Sequence, residues 1–310
     1  MTSLEKQHGM LGAGAELVVP GSISNLGSGF DALSVAVQLY LRVRVVELLP
    51  GSPGLFESVF AGPPPGGDNR VEAAFRHAAV SLGVPAPGVR VEIQSDIPPR
   101  AGLGSSGAAT VAGVQLYEGL TSPLPRSRAL GLAREVEGHP DNAAASMLGG
   151  LALSCVRDDG QVTARAVQWP AELQLVVATP TAGLDTARAR AVLPTHIARE
   201  DAVFNLQRAL LLVRSIETGA YGDLREALRD RWHQPVRAAL VPGLHAALAL
   251  DDPGILGVCL CGSGPSVAAL VVDGAETAAG RLTDIYRSLG LTCTIRRLSA
   301  HAPLPQESGT

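Results

Sequence analysis

The sequence predicts two α+β domains, and three observations lead there. At 310 residues the chain is longer than a single core usually grows, so two modest domains are expected. Hydrophobic residues make up 46% of it and charged residues 17%, enough for two cores, while no apolar run approaches the roughly 18 residues of a membrane span. Strand-period and helix-period segments mix along both halves, with no internal repeat and no low-complexity tract.

The elements follow in order. "VQLYLRVRVVELL" (37–49) alternates Val37, Leu39, Leu41, Val43 and Val45 against Arg42 and Arg44, a half-buried strand. "AGPPPGGDN" (61–69) is a loop by composition, and Asn69 can cap a helix through "RVEAAFRHAAVSLG". "VRVEIQS" (89–95) is a second strand, followed by helices near 106–119 and 126–137 and a short one after Asp141. "LALSCV" (151–156) and the turn at Asp158-Asp159-Gly160 close the first unit, giving domains of 12–165 and 166–300. The second unit begins with the strand "LQLVVATP" (173–180). A helix near 199–217 places Val203, Leu206, Leu210 and Val213 on one face, which is expected to be buried. "GVCLCGSGPSVAALVV" (257–272) reads as two apolar strands broken by Gly-Ser-Gly-Pro, and "LTCTIRRL" as a closing strand. The tail after about 300 is expected to be loose.

Composition removes several function classes. The N-terminus lacks the basic flank and apolar core of a signal peptide, so a cytoplasmic location is the expectation. Four cysteines make no disulfide framework, and Cys259 and Cys261 fit buried small hydrophobes on a strand. The seven histidines never take H-x-x-x-H spacing, which argues against a dedicated zinc site. A net charge of −4 without a basic run argues against nucleic-acid binding. Lys6 is the only lysine, so neither a Walker loop nor a protein-kinase strand lysine is available.

Gly102-Leu-Gly104-Ser-Ser-Gly107 satisfies G-x-G-x-x-G, yet it does not make a dinucleotide site. Pro98 and Pro99 separate the strand from Gly102, and no acid occurs from Gly119 through Arg134, where a ribose ligand should fall. A serine-hydrolase elbow also fails for want of G-x-S-x-G. What remains is a glycine loop, two hydroxyls and an Ala/Val-rich helix starting at once, which can cradle phosphate on free N–H groups without a lysine. An ordinary capped helix is the alternative on this stretch alone.

Two further stretches join it in order: "VPGSISNLGSGFDAL" (19–33) and "CGSGPSVAAL" (261–270). With Pro98, Gly102, Leu103, Gly104, Ser105 and Ser106 they resemble the three motifs of the GHMP small-molecule kinases. Gly107 replaces the usual alanine, and Ser24 and Ser28 replace the usual Ala and Pro. "EGHPDNAAASMLGG" (137–150), "TARARAVLP" (186–194) and "HQPVRAALVPG" (233–243) resemble the homoserine kinases in particular, with "AAASM" in place of "VAPAL" after Asn142.

The resemblance implies a GHMP architecture: an N-terminal ribosomal-protein-S5-domain-2-like domain and a C-terminal ferredoxin-like α/β sandwich. It implies ATP and Mg²⁺, phosphorylation of L-homoserine on the threonine pathway, and a homodimer. Asn69, Pro98, Arg100, Gly102, Leu103, Gly104, Ser105, Ser106, Gly262 and Gly264 would form the nucleotide side, with Gly262 to Gly264 packed on the phosphate loop. Ser106 and Glu135, chosen over Glu137, would hold Mg²⁺. Arg190 and Arg237 would take the acceptor's carboxylate, a task suited to a guanidinium fork, with Arg188 as the rival of Arg190. Asp31 and Asn25 would lie near the ammonium, His139 would position the loop, and Asn142 would orient the hydroxyl. Asp141 as a true base is the competing possibility. A mevalonate- or shikimate-type acceptor and a catalytically silent regulator are the alternative functions.

Overall fold

The computed structural model describes residues 11–62, 67–181, 184 and 186–304. Lys6, His8 and part of the proline-rich loop expected at 61–69 lie outside the described residues.

The N-terminal sheet runs in the order β3-β4-β2-β5-β6, with β1 also paired to β2. Its strands are β1 (Glu16–Asn25), β2 (Gly29–Leu49), β3 (Phe56–Phe60), β4 (Gly88–Ser95), β5 (Leu151–Val156) and β6 (Val162–Val167). β2 is 21 residues long and pairs antiparallel with β1, β4 and β5 in different stretches. Val37, Leu41, Val43 and Val45 are buried as the alternation requires. The helices α1 (Arg70–Leu82), α2 (Ser105–Leu120), α3 (Arg126–Glu137) and α4 (Asp141–Leu148) complete this half. α2 is buried on almost every side, consistent with its Ala/Val-rich sequence.

The second sheet is antiparallel in the order β10-β7-β9-β8, with β7 (Gln174–Pro180), β8 (Gly257–Leu260), β9 (Val267–Val271) and β10 (Cys293–Leu298). Both faces are covered, so β7, β8 and β9 are near-continuous buried runs rather than alternating ones, while β10 at the edge is mixed. Leu175, Val177, Cys259, Ala268 and Leu270 join one core with Leu212 and Ile216 of α6 (Arg199–Thr218). Val176, Ala178, Leu260 and Val267 face a second core with Leu282 and Tyr286 of α10 (Ala275–Ser288). Short helices α5 (Thr186–Ala191), α7 (Leu224–Ala227), α8 (Gln234–Arg237) and α9 (Leu244–Leu248) fill the connections. Cys259 and Cys261 are fully buried, and burial pushes the Cys259 thiol up to about 12.

Two expectations are corrected. On α6, Val203, Leu206 and Leu210 are 45%, 60% and 65% exposed, while Phe204, Asn205, Leu212, Ser215 and Ile216 face inward. The rotation is fixed by a polar residue: the Asn205 side chain donates to Asp230 (2.6 Å) and accepts from the Arg231 backbone N–H (3.0 Å). The chain after 300 is also not loose through Leu304. His301 N–H donates to Ala36 O (2.9 Å), and Leu304 N–H to Leu148 O (2.8 Å), so this segment returns to the first sheet and the end of α4.

Candidate active site

The glycine loop connects β4 to α2 along a tightly packed path. Gly102 and Gly104 both have φ of 75°, where a side chain is strained. A Cβ on Gly102 would lie 2.2 Å from Cys261 O, and one on Gly104 would lie 2.3 Å from Ser22 Oγ. The first glycine is therefore clamped by the 261–264 loop and the second by β1. Leu103, between them, is buried, and its carbonyl accepts from Ser22 N–H at 3.0 Å. Gly104 occupies the cap position of α2 and no side chain caps the helix. The N–H groups of Ser105 and Ser106 open a helix of 16 residues, a start that favours an anion.

Beside that start lies an oxygen-rich group. Ser106 Oγ donates to Glu137 Oε1 at 2.8 Å, and Thr110 Oγ1 donates to the same oxygen at 2.7 Å. Glu135, the expected partner of Ser106, points elsewhere, to His77 Nε2 (2.8 Å) and Arg128 (3.5 Å). The reason is helical phase: two residues apart on α3 is about 200° around the axis, and Glu137 follows the buried Leu130 and Ala133 at i+7 and i+4. The hydroxyl and carboxylate oxygens of Ser106 and Glu137 suit a hard divalent cation.

The residues expected at the acceptor end come together from β1, β2, α4, α5 and α8. Asn25 and Asp31 stand at φ of 73° and 54°, with Asn25 Oδ1 accepting from Asp31 N–H (3.1 Å) and Asn25 Nδ2 donating to Gly262 O (2.9 Å). Arg190 forms a bidentate pair with Asp31, at 2.8 and 2.9 Å, which raises the guanidinium pKa further. Arg188, on the other side of α5, lines a separate cleft with Pro98 and Arg100, two residues expected on the nucleotide side that instead face this cleft. Arg237 is 2% exposed and donates to Ala189 O (3.2 Å), Gly262 O (3.0 Å) and His233 Nδ1 (3.1 Å). Burial, then repulsion from Arg190, lowers its pKa to about 10, so it remains a cation at neutral pH. Both guanidinium groups approach the Phe30 ring, at 5.6 and 5.4 Å from its centroid.

Asp141 and Asn142 open α4. Asp141 is 1% exposed and bonds His139 Nδ1 at 2.6 Å. Burial works to lower the His139 pKa, but the hydrogen bond to Asp141 and the charges of Asp141 and Asp31 outweigh it, and the net shift is upward. Ligand atoms of Asp31, His139 and Asp141 lie within 4.8 Å of one another, so this corner favours a cation. Asn142 Nδ2 donates to Ser22 Oγ at 2.9 Å, leaving its Oδ1 without a hydrogen bond among the described residues. A Cβ on Gly107 would lie 2.8 Å from Asn142 Cβ, so the first turns of α2 and α4 are in direct contact. Gly107 is thus the smaller residue that lets these two helices approach.

Asn69 caps α1, accepting from Val71 and Glu72 N–H and donating to Ser58 Oγ at 3.1 Å. Gly262 and Gly264 hold φ of 54° and 92°, and Gly262 packs against Gly102 O. Sequence reasoning missed Ser22, Phe30 and His233. Phe30 directly precedes Asp31, which the sequence had singled out, and an aromatic at that spot was the available signal. His233 Nε2 reaches Gly27 O at 2.8 Å, a pairing 206 residues apart that no local pattern announces.

The chain is similar to known proteins in sequence and fold. Residues 69–150 match the GHMP kinases N terminal domain, and residues 212–287 match the GHMP kinases C terminal domain. A homoserine kinase of Solibacter usitatus is 40% identical over 278 residues, covering 88% of this chain and 90% of that one. One of Desulfitobacterium hafniense is 37% identical, covering 91% and 95%. The crystal structure of homoserine kinase from Cytophaga hutchinsonii superimposes with a TM-score of 0.78 at 26% identity, over 93% of this chain and 95% of that one. No helix among the described residues is long and apolar enough to cross a membrane. With its two-sheet fold, its clamped glycine loop and these relatives, the chain belongs to the homoserine kinase family of the GHMP kinases.

Proposed function

We propose that the chain transfers the terminal phosphoryl group of ATP to the side-chain hydroxyl of L-homoserine, giving O-phospho-L-homoserine and ADP in threonine biosynthesis. The observation that carries this reading is the contact of Gly107 with Asn142, which sets the phosphate-binding helix start beside the acceptor residues in one wall.

Each end of the acceptor has a counterpart. The Arg190–Asp31 pair presents a cation and an anion side by side, matching the α-carboxylate and α-ammonium of an amino acid. Arg237, held by three acceptors, adds fixed positive charge next to Arg190, while Asn25, His139 and Asp141 complete the cationic-group pocket. Asn142 Oδ1 accepts the acceptor's hydroxyl and aims its oxygen at the helix start. An amide cannot take the proton at neutral pH, and Asp141 is engaged by His139. Phosphoryl transfer tolerates the lack of a base because its loose transition state depends mainly on alignment and charge neutralisation, and the hydroxyl proton passes to an oxygen of the transferred phosphoryl group as the new P–O bond forms.

The nucleotide side fits its ligands. The uncapped α2 start, with Gly102, Leu103, Gly104, Ser105 and Ser106, receives phosphate through backbone N–H groups, and Asn69 borders the base. Ser106 and Glu137 would hold Mg²⁺, which when bound neutralises phosphate oxygens. Gly262 and Gly264 brace the loop. A cytoplasmic homodimer belongs to the same reading, with the exposed Val203, Leu206 and Leu210 row of α6 as apolar surface available to a second copy.

The test is ADP release from Mg-ATP with L-homoserine, L-serine, L-threonine, mevalonate, shikimate and galactose at equal concentrations. Selective turnover with homoserine is expected. Selective turnover with another acceptor overturns the acceptor assignment, and ATP binding without turnover makes the chain a silent relative.

A further inference from the structure

α5 carries two arginines whose side chains serve different sides. Arg190 meets Asp31 in the acceptor site, whereas Arg188, two residues and about 200° away, lines a cleft of about 550 Å³ on the far side. Arg100 of the glycine-loop approach and Arg296 of β10 line the same cleft, with Thr179, Thr181 and Thr294 between them. None of its described lining residues is acidic. The walls are tied together: Leu184 N–H reaches Arg100 O at 3.4 Å, and Arg296 reaches Thr179 Oγ1 at 3.4 Å. Arg100 is itself held at φ of 54°, a left-handed conformation that few non-glycine residues adopt.

This chemistry differs from that of the α2 helix start, which offers backbone N–H groups and hydroxyls but no cationic side chain. The guanidinium groups of Arg100 and Arg296, with threonine hydroxyls between them and Arg188 alongside, match a compact dianion, because a guanidinium fork donates paired hydrogen bonds to phosphate oxygens and the hydroxyls fill the remaining lone pairs. Asp31, His139 and Asp141 mark the acceptor site as a place for an amino acid, so the cleft is not a second copy of it.

We propose that the cleft between the glycine-loop approach, α5 and β10 is a second anion site that binds a phosphate dianion, separate from the helix start that receives the nucleotide. The proposal rests on the kinase reading only in assigning that helix start to nucleotide. The test uses the whole chain saturated with Mg²⁺ and a non-hydrolysable ATP analogue, titrated calorimetrically with inorganic phosphate and, in a second arm, with glycerol phosphate. Saturable binding is expected in at least one arm, tighter for the free ion if the cleft takes phosphate itself and tighter for the ester if it takes a phosphorylated metabolite. Arg296→Gln should weaken binding about tenfold or more, Arg296→Lys should restore part of it, and Ser106→Ala should leave it unchanged. Thr294→Ala, at an exposed position, provides a second weakening variant should Arg296→Gln fold poorly. No saturable binding in either arm, equal affinity in wild type and both cleft variants, or loss in Ser106→Ala with retention in Arg296→Gln would each overturn the proposal. Absence of homoserine turnover would refute the reaction while leaving this titration interpretable.

Discussion

Replacing Arg237 with alanine should damage stability and catalysis by separable amounts. The guanidinium is 2% exposed and satisfies Ala189 O, His233 Nδ1 and Gly262 O. Gly262 O keeps its bond from Asn25 Nδ2, so two acceptors are left without it. At about 1–3 kcal/mol for each buried acceptor left unpaired, the loss is roughly 2–6 kcal/mol of folding free energy. For a chain of this size that lowers Tm by about 4–12 °C, taking roughly 2 °C per kcal/mol. Below the lowered transition, an acceptor carboxylate that has lost its cation costs about 2–5 kcal/mol, at least about a 30-fold fall in kcat/KM for homoserine. Arg237→Lys keeps charge but not the fork, and should fall between the two. Differential scanning calorimetry and initial-rate kinetics read the two effects independently. A Tm within about 1 °C of wild type together with a loss of less than about threefold in kcat/KM would refute both the burial argument and the carboxylate assignment.

Three further outcomes are expected. Glu137→Gln should raise the Mg²⁺ concentration for half-maximal activity by about 10- to 100-fold. Glu135→Gln should leave it unchanged, since it loses only surface pairs worth about 0–1 kcal/mol; the reverse ranking would restore Glu135 as the ligand. Asn142→Ala should cost about 100-fold in kcat by misplacing the hydroxyl, while Asn142→Asp should show no new rise of rate through a near-neutral ionisation. Such a rise would mean that a base at this position is used. His139 has a folded pKa raised above its ordinary 6.5, so its contribution to stability is fully present below 6.5 and is lost as pH rises through the folded value. Buried His233 and half-buried His301 have lowered pKa values and act in the opposite direction, so the signal is the difference between wild type and His139→Gln. That difference should shrink between pH 6 and 9, and a constant difference would contradict the pairing with Asp141.

The sequence was most legible where one residue's role is set by its neighbours along the chain. The glycine loop, the Asn69 cap, the strand at 37–49 and the helix starts at 126 and 141 all depend on local spacing, and the structure places them there. Reading failed where a tertiary partner chose between equivalent positions. Glu135 and Glu137 are equally plausible by composition, and only the packing of α3 on α2 turns Glu137 toward Ser106. The row at Val203, Leu206 and Leu210 has helical period, but the buried Asn205–Asp230 bond rotates α6 away from it. Arg190, chosen over Arg188, does meet Asp31, but only the face of a six-residue helix separates the two. The 301–304 segment carries no strand signal because its order comes from backbone bonds to Ala36, Leu148 and Gly150.

The most direct test of the central claim is phosphorus NMR of the purified chain turning over Mg-ATP with L-homoserine. The account predicts a phosphate monoester on the homoserine side-chain oxygen, formed in step with ADP and absent when homoserine is omitted. Inorganic phosphate as the sole product alongside ADP, at a rate indifferent to homoserine, would contradict it.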